Sequence, residues 1–141
     1  MEAMIRCYDA LMKEMGATRQ VVIRTDGSKV ENPAAAELAV DTIAAVAYGK
    51  YYPEMWIQLP FDQKDATVGN GTHVALQCKS PDEAKRVYQA ALAHGATDNG
   101  PPGPREEYSD KYYGAFFIDP AGNKMEATYY DIGMWAYCTV M

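Results

Sequence analysis

The stretch FFIDPAGNKMEATYY, residues 116–130, reads as two strands joined by a tight turn. Asp119-Pro120-Ala121-Gly122-Asn123 supplies the turn, with Gly122 where a left-handed residue is needed. The second strand carries one carboxylate, Glu126, in its middle. Acidic residues are poor strand formers, so Glu126 calls for a role. Met125, Ala127 and Tyr129 alternate with Glu126, Thr128 and Tyr130, so one face is mostly apolar and the other carries the polar atoms.

Upstream lies the clearest helix, SPDEAKRVYQAALAHG, residues 80–95. Ser80 suits the N-cap, Pro81 the first turn, and Glu83 completes a capping box. Ala84, Val87, Tyr88, Ala91 and Leu92 recur at helical spacing and form one buried stripe, and Gly95 ends it. Just before it, THVALQC (72–78) predicts a strand with Val74, Leu76 and Cys78 on one face and His73, Ala75 and Gln77 on the other. A Gly/Pro-rich loop, DNGPPGPREEYSD, links the helix to the hairpin.

The first half repeats this order. YDALMKEMGAT (8–18) echoes YQAALAHGAT (88–97), each running from a Tyr through Ala and Leu to Gly-Ala-Thr at a helix exit. RQVVIRT, TIAAVAYG and EMWIQLP predict three strands, and NPAAAELAV a short helix capped by Asn32 with Pro33 at its first position. The second half therefore reads βαβββ and the first αβββ, an internal repeat with one strand missing ahead of the first helix. The tail MWAYCTVM, residues 134–141, is rich in aromatic and β-branched residues. It is expected either to fill the vacant position, as a circular permutation would, or to add to a sheet edge or a dimer partner.

Composition narrows the function. The 141 residues suit a single domain, 1–141, with repeats at 4–60 and 71–131 and a C-terminal strand at 132–141. Nineteen Asp and Glu against thirteen Lys and Arg give a net charge of −6, which argues against nucleic acid or anionic membrane as partner. Cys7, Cys78 and Cys138 lack metal-like spacing and suit a reducing compartment. With no apolar run of spanning length and no signal-peptide anatomy at MEAMIRCYDA, a cytoplasmic location is expected. A Ser–His–Asp triad lacks a nucleophile elbow, and GPPGPR lacks the P-loop lysine. His94 closes a helix, where its charge complements the dipole.

If curved sheets carry their helices outside, His73, Gln77, Glu126, Thr128 and Tyr130 line a cleft. His73 and Glu126 on neighbouring strands then read either as half of a divalent-metal site or as a hydrogen-bonded pair. Trp56, Tyr113 and Tyr130 are candidates to line an apolar cup. Arg105 either reaches an anionic ligand or is a surface charge.

GTHVALQCKSPDEAKRVYQAALAHGATDNGPPGPR, YYGAFFIDPAGNKMEATYYD and YDALMKEMG, in a doubled βαβββ order, resemble the vicinal oxygen chelate superfamily of glyoxalase I, bleomycin-resistance proteins and extradiol dioxygenases. The resemblance runs from about Met4 to Asp131. It implies an α+β fold of paired βαβββ modules forming a curved mixed sheet around a cleft. It also implies metal ligands on the first and last strands of each repeat, at positions that His73 and Glu126 match in the second half, with Glu126 also the catalytic candidate.

In the first half the pattern breaks. Trp56 stands where Glu126 would align, Gln58 is the nearest polar residue on that face, and the tail offers Tyr137 or Cys138 but no histidine. A two-histidine, one-carboxylate iron centre is therefore disfavoured. Two expectations remain for the protein, as a homodimer. One is a lyase or isomerase using zinc, nickel, manganese or iron on a small molecule with vicinal oxygens. The other is a metal-free protein that binds or sequesters a small ligand, with Trp56, Gln58, Gln77, Arg105, Tyr113 and Tyr130 around the pocket.

Overall fold

The computed structural model describes residues 1–33 and 42–131. It is built of α1 (Glu2–Glu14), β1 (Thr18–Arg24), β2 (Lys29–Glu31), β3 (Ile43–Gly49), β4 (Met55–Gln58), β5 (His73–Gln77), α2 (Pro81–Ala93), β6 (Thr97–Asp98), β7 (Gly103–Pro104), β8 (Tyr112–Ile118) and β9 (Lys124–Tyr130). The short helix expected around 32–40 and the strand expected at 134–141 lie outside the described residues.

The strands make two sheets. The first has the order β2-β1-β3-β4 with antiparallel neighbours, and the second the order β5-β9-β8-β6, with β7 also on β8. The second is mixed, because β5 runs parallel to β9 while β8 and β9 form the antiparallel hairpin read from residues 116–130. The repeat is visible in the pairing. β4 matches β9, β3 matches β8, and β1 matches β6, so among the described residues β5 has no counterpart beside β4. This is the expected α+β architecture of paired modules, with the first strand of the first module absent from the described residues. The short strands β2 and β7 add to the expected elements, while β6 takes the position after α2 that the βαβββ reading requires.

Helix α2 forms for the reasons its sequence gives. Ser80 Oγ accepts the amide of Glu83 at 3.1 Å, and the Glu83 carboxylate accepts the amide of Lys79 at 2.5 Å, one residue ahead of the usual capping-box partner. Its stripe of Ala84, Val87, Tyr88 and Ala91 is buried. Helix α1 buries Ile5, Cys7, Tyr8, Leu11 and Met12. Both stripes join one core with Val22, Val46, Phe117, Met125 and Ala127 from the two sheets. Burial of the larger of these side chains stabilises by about 1.5–3 kcal/mol each.

Two polar links tie this core together. Arg19 is buried and holds the Asp9 carboxylate with Nε at 2.8 Å and Nη2 at 2.5 Å, while the Tyr48 hydroxyl donates to the same carboxylate at 2.9 Å. Between the halves, the Tyr8 hydroxyl donates to Asp119 Oδ2 at 3.1 Å. Asp119 also accepts the amides of Ala121 and Asn123, each at 2.9 Å, and so fixes the β8–β9 turn in which Gly122 takes φ +93°. Asp119→Ala strips that turn of its acceptor and leaves the buried Tyr8 hydroxyl unpaired. It is expected to cost about 2–3 kcal/mol in urea denaturation, and Asp119→Asn is expected to lose less.

Candidate functional site

The parallel β5–β9 register places His73 beside Lys124, Ala75 beside Glu126 and Gln77 beside Thr128, all on the face away from α2. Across the hairpin, Phe116 stands opposite Glu126, Gly114 opposite Thr128 and Tyr112 opposite Tyr130. Glu126 lies in the middle of this face, called here the cup, and is only 3% exposed although it is a carboxylate in mid-strand. A buried carboxylate needs partners, and it has one on each oxygen. His73 Nε2 lies 3.1 Å from Oε2, and the Tyr112 hydroxyl donates to Oε1 in a short contact.

The surroundings fix these two partners differently. Tyr112 is wedged between the rings of Tyr108 and Tyr130, at centroid distances of 5.6 and 5.8 Å. His73 sits on β5, the outermost described strand of its sheet, with a third of its side chain exposed, against Phe116 at 5.9 Å. Oε1 is therefore held by a packed ring, and Oε2 by a partly exposed one. Gly114 makes the room, since a Cβ there would stand 3.0 Å from Glu126 Oε1 and 3.1 Å from the Tyr112 ring.

Positive charge rims the cup. The Arg105 guanidinium lies 5.3 Å from the Phe116 ring centre and the Lys124 ammonium 5.8 Å from it, both cation–π distances. Arg105 is aimed by the loop it ends, donating to the carbonyls of Pro101 at 2.6 Å and Pro104 at 3.1 Å. Its remaining hydrogen-bonding capacity suits an anionic group.

Not every residue expected at the pocket arrives there. Tyr130 does, its ring tilted against that of Tyr112. Gln77 shares the face but donates to the Cys78 carbonyl at 3.4 Å. Tyr113 stands on the opposite face, packed on the core with the Lys85 ammonium 5.8 Å from its ring centre, so the pocket position expected for it belongs to its neighbour Tyr112. Trp56, 44% exposed, and Gln58 lie on β4 and line a separate hollow with Val74 and Asn123. No described hydrogen bond, ion pair or ring contact joins them to Glu126. His94 closes α2, its Nδ1 2.8 Å from the Ala90 carbonyl.

Sequence reasoning missed Tyr112 and Lys124. The signal for Tyr112 is the alternation counted back from Phe116, and Lys124 is simply two residues before Glu126 on the same face.

Thiol chemistry is remote for the two described cysteines. Burial, with Asp119 nearby, pushes the Cys7 thiol up to about 11. Burial, with Glu83 nearby, pushes Cys78 up to about 12. Neither is a thiolate at neutral pH.

As to a metal, His73 Nε2 and Glu126 Oε2 at 3.1 Å have the spacing of adjacent ligands on one ion, given bonds of about 2.0–2.2 Å. Imidazole nitrogen with carboxylate oxygen is a fitting donor pair for zinc, nickel, manganese or iron. The pair fits as two ligands, and no group of three His, Cys, Asp or Glu side chains able to hold an ion occurs among the described residues.

Comparison with known proteins agrees with this architecture. The model of the Glyoxalase/Bleomycin resistance protein/Dioxygenase superfamily matches residues 12–127, and the chain belongs to that superfamily. Among solved structures it is similar to a glyoxalase/bleomycin resistance protein from Albidiferax ferrireducens T118. That pair has 27% identity and a TM-score of 0.68, with 92% of this chain and 88% of the other covered. Protein PA1353 from Pseudomonas aeruginosa shares the fold at 20% identity and a TM-score of 0.58, over 88% of this chain and 84% of its own. No curated protein matches the sequence.

Burial first, and then the hydrogen bond to Glu126, raise the Tyr112 phenol above its ordinary value. A phenol whose folded pKa is raised contributes stability that is complete below its unfolded pKa of about 10 and is lost as pH climbs through the folded value. Tyr112→Phe is therefore expected to lessen the fall in the urea midpoint above pH ~10, which a denaturation series across that range measures. Gly114→Ala is expected to cost about 1–3 kcal/mol in the same assay by driving Tyr112 and Glu126 apart.

Proposed function

We propose that the cup of β5, β8 and β9 binds a small oxygenated organic molecule. In this reading the protein acts on it as a lyase or isomerase of the glyoxalase type, with His73 and Glu126 as two ligands of a divalent ion. The observation that carries this reading is the 3.1 Å approach of His73 Nε2 to Oε2 of a carboxylate that the fold has otherwise buried. A bound ion would polarise neighbouring oxygens of the substrate as a Lewis acid.

The chain's own residues supply the rest. Arg105 and Lys124, set around Phe116, draw an anionic end of the ligand to the cup mouth. Tyr130 and Tyr112 give one aromatic wall. The Tyr112 hydroxyl keeps Glu126 Oε1 occupied, which leaves Oε2, the oxygen beside His73, to hold the ion. The reading takes the protein as a cytoplasmic homodimer, in keeping with the free thiols Cys7 and Cys78 and the exposed Tyr51 and Tyr52.

A second reading, a metal-free protein that binds or sequesters a small ligand, is favoured by the lack of a third donor among the described residues. In that case Glu126 fixes the Nε2 side of His73, and the ring's other nitrogen is left to meet the ligand.

Elemental analysis after equilibration with zinc, nickel, manganese or ferrous ion separates the two. The first reading expects near-stoichiometric metal in the wild type and its loss in both His73→Ala and Glu126→Gln, with folding checked by circular dichroism. Metal absent from the wild type after every soak would leave the binding protein.

A further inference from the structure

The chain from Asn99 to Arg105, between β6 and β8, is pinned more firmly than a plain connection needs. At its start the Asn99 amide donates to the Phe116 carbonyl at 3.0 Å, and the Phe116 amide donates to the Gly100 carbonyl at 2.8 Å. Asp98 Oδ1 accepts the Gly100 amide at 2.8 Å and the Tyr88 hydroxyl at 2.7 Å, which ties the same point to α2. At its end β7 sets Gly103 opposite Gly114 and Pro104 opposite Tyr113, and the Arg105 amide donates to the Tyr112 carbonyl at 3.0 Å. Between these points stand Pro101, Pro102 and Pro104, whose rings fix φ and remove backbone freedom.

What this frame positions is Arg105. Gly103 stands opposite Gly114, whose own Cβ would face Glu126, so alternation puts the Arg105 side chain on that same face. Two glycines clear the way for it. A Cβ on Gly100 would stand 3.0 Å from the Phe116 ring, and one on Gly103 would stand 3.0 Å from Arg105 Nη1. The guanidinium then lies over Phe116, held by the carbonyls of Pro101 and Pro104. A half-buried arginine fixed in this way has given up rotamer freedom on folding, so that less is lost when a ligand arrives. Lys124 comes to the same ring from β9, in register with His73.

We infer that Arg105 and Lys124 form a carboxylate subsite, and that the molecule bound at the cup is a small organic acid with one carboxylate. The inference rests on the reading of the cup as a small-molecule site, but not on a bound ion. Charge favours a monoanion over a phosphate dianion. Before any ion binds, two cations beside the Glu126 carboxylate leave one positive charge over, which one carboxylate offsets. The flat fork of an arginine accepts the two oxygens of that group side by side. Size is limited as well. The Phe116 and His73 rings are 5.9 Å apart, so an acid of a few carbons reaches from the subsite to Glu126, with Tyr112 and Tyr130 as a wall for its body.

Isothermal titration of the ion-free full chain with benzoate and with benzamide, its uncharged counterpart, tests this. Benzoate is expected to bind about tenfold more tightly than benzamide or better, and more tightly than phenyl phosphate. Arg105→Gln is expected to lose about tenfold in benzoate affinity and to leave benzamide unchanged. Lys124→Gln is expected to weaken benzoate several-fold. Gly103→Ala keeps the charge and displaces only the end of a flexible side chain. It is expected to melt close to the wild type and yet to bind benzoate a few-fold more weakly.

Benzoate and benzamide bound equally by the wild type would overturn the inference and leave the small-molecule reading standing, whereas failure of both to bind would sink the two together. Tighter binding of phenyl phosphate would overturn the carboxylate assignment. An Arg105→Gln variant that binds benzoate as the wild type does would overturn it too, since the acid would then be held elsewhere. Metal content, read on the same variants, reports on the chelate reading alone.

Discussion

The parallel pairing of β5 with β9 is the constraint on which the rest of the molecule turns. Parallel neighbours need a long crossover, and α2 provides it, so the stripe that buries α2 and the register that aligns His73 with Lys124 arise together. A slip of one residue would turn His73 and Gln77 toward the core and Val74 and Leu76 into the cup. The apolar requirement of the helix side thus sets the polar geometry of the other side. The carboxylate at the cup floor sits in a place decided by packing, and Tyr112, Gly114 and Phe116 inherit their positions from it through the antiparallel hairpin.

Much of the fold was legible because its signals are local and redundant. Ser80, Pro81 and Glu83 fix the start of α2, the 8–18 and 88–97 segments reveal the repeat, and residues 119–123 announce the hairpin. Those cues come from backbone chemistry that works wherever the segment sits. β2, β6 and β7, at three, two and two residues, are too short to carry a periodicity and exist because a longer neighbour offers them a ladder. The Asp9–Arg19 pair was silent for a related reason. Its members are ten residues apart on different elements, and only the exit of α1 into β1 brings them together.

At the site, sequence yielded the direction in which His73 and Glu126 point but not what stands around them. Tyr112 and Tyr113 are adjacent and identical, so composition cannot choose between them, and the choice follows only when the strand phase is carried through the turn to Glu126. Lys124 and Arg105 gather around Phe116 from different parts of the chain, and no motif signals such a meeting. Trp56 and Gln58 aligned with the second-half site by the repeat, yet among the described residues no strand beside β4 answers to β5, and they line a hollow of their own.

The cation pair around Phe116 has a further consequence, given a molecule whose net charge is −6. At long range such a body repels anions, but at physiological ionic strength that field fades over about 8 Å. What an approaching anion then meets is the Arg105 and Lys124 rim at near contact, where screening is weak. Under the proposed reading, selection beside Phe116 would therefore be short-ranged, acting on anions that have already collided and not by steering from a distance. A capture rate for such an anion would then rise or stay level as salt is added, the reverse of a basic protein that gathers its ligands electrostatically.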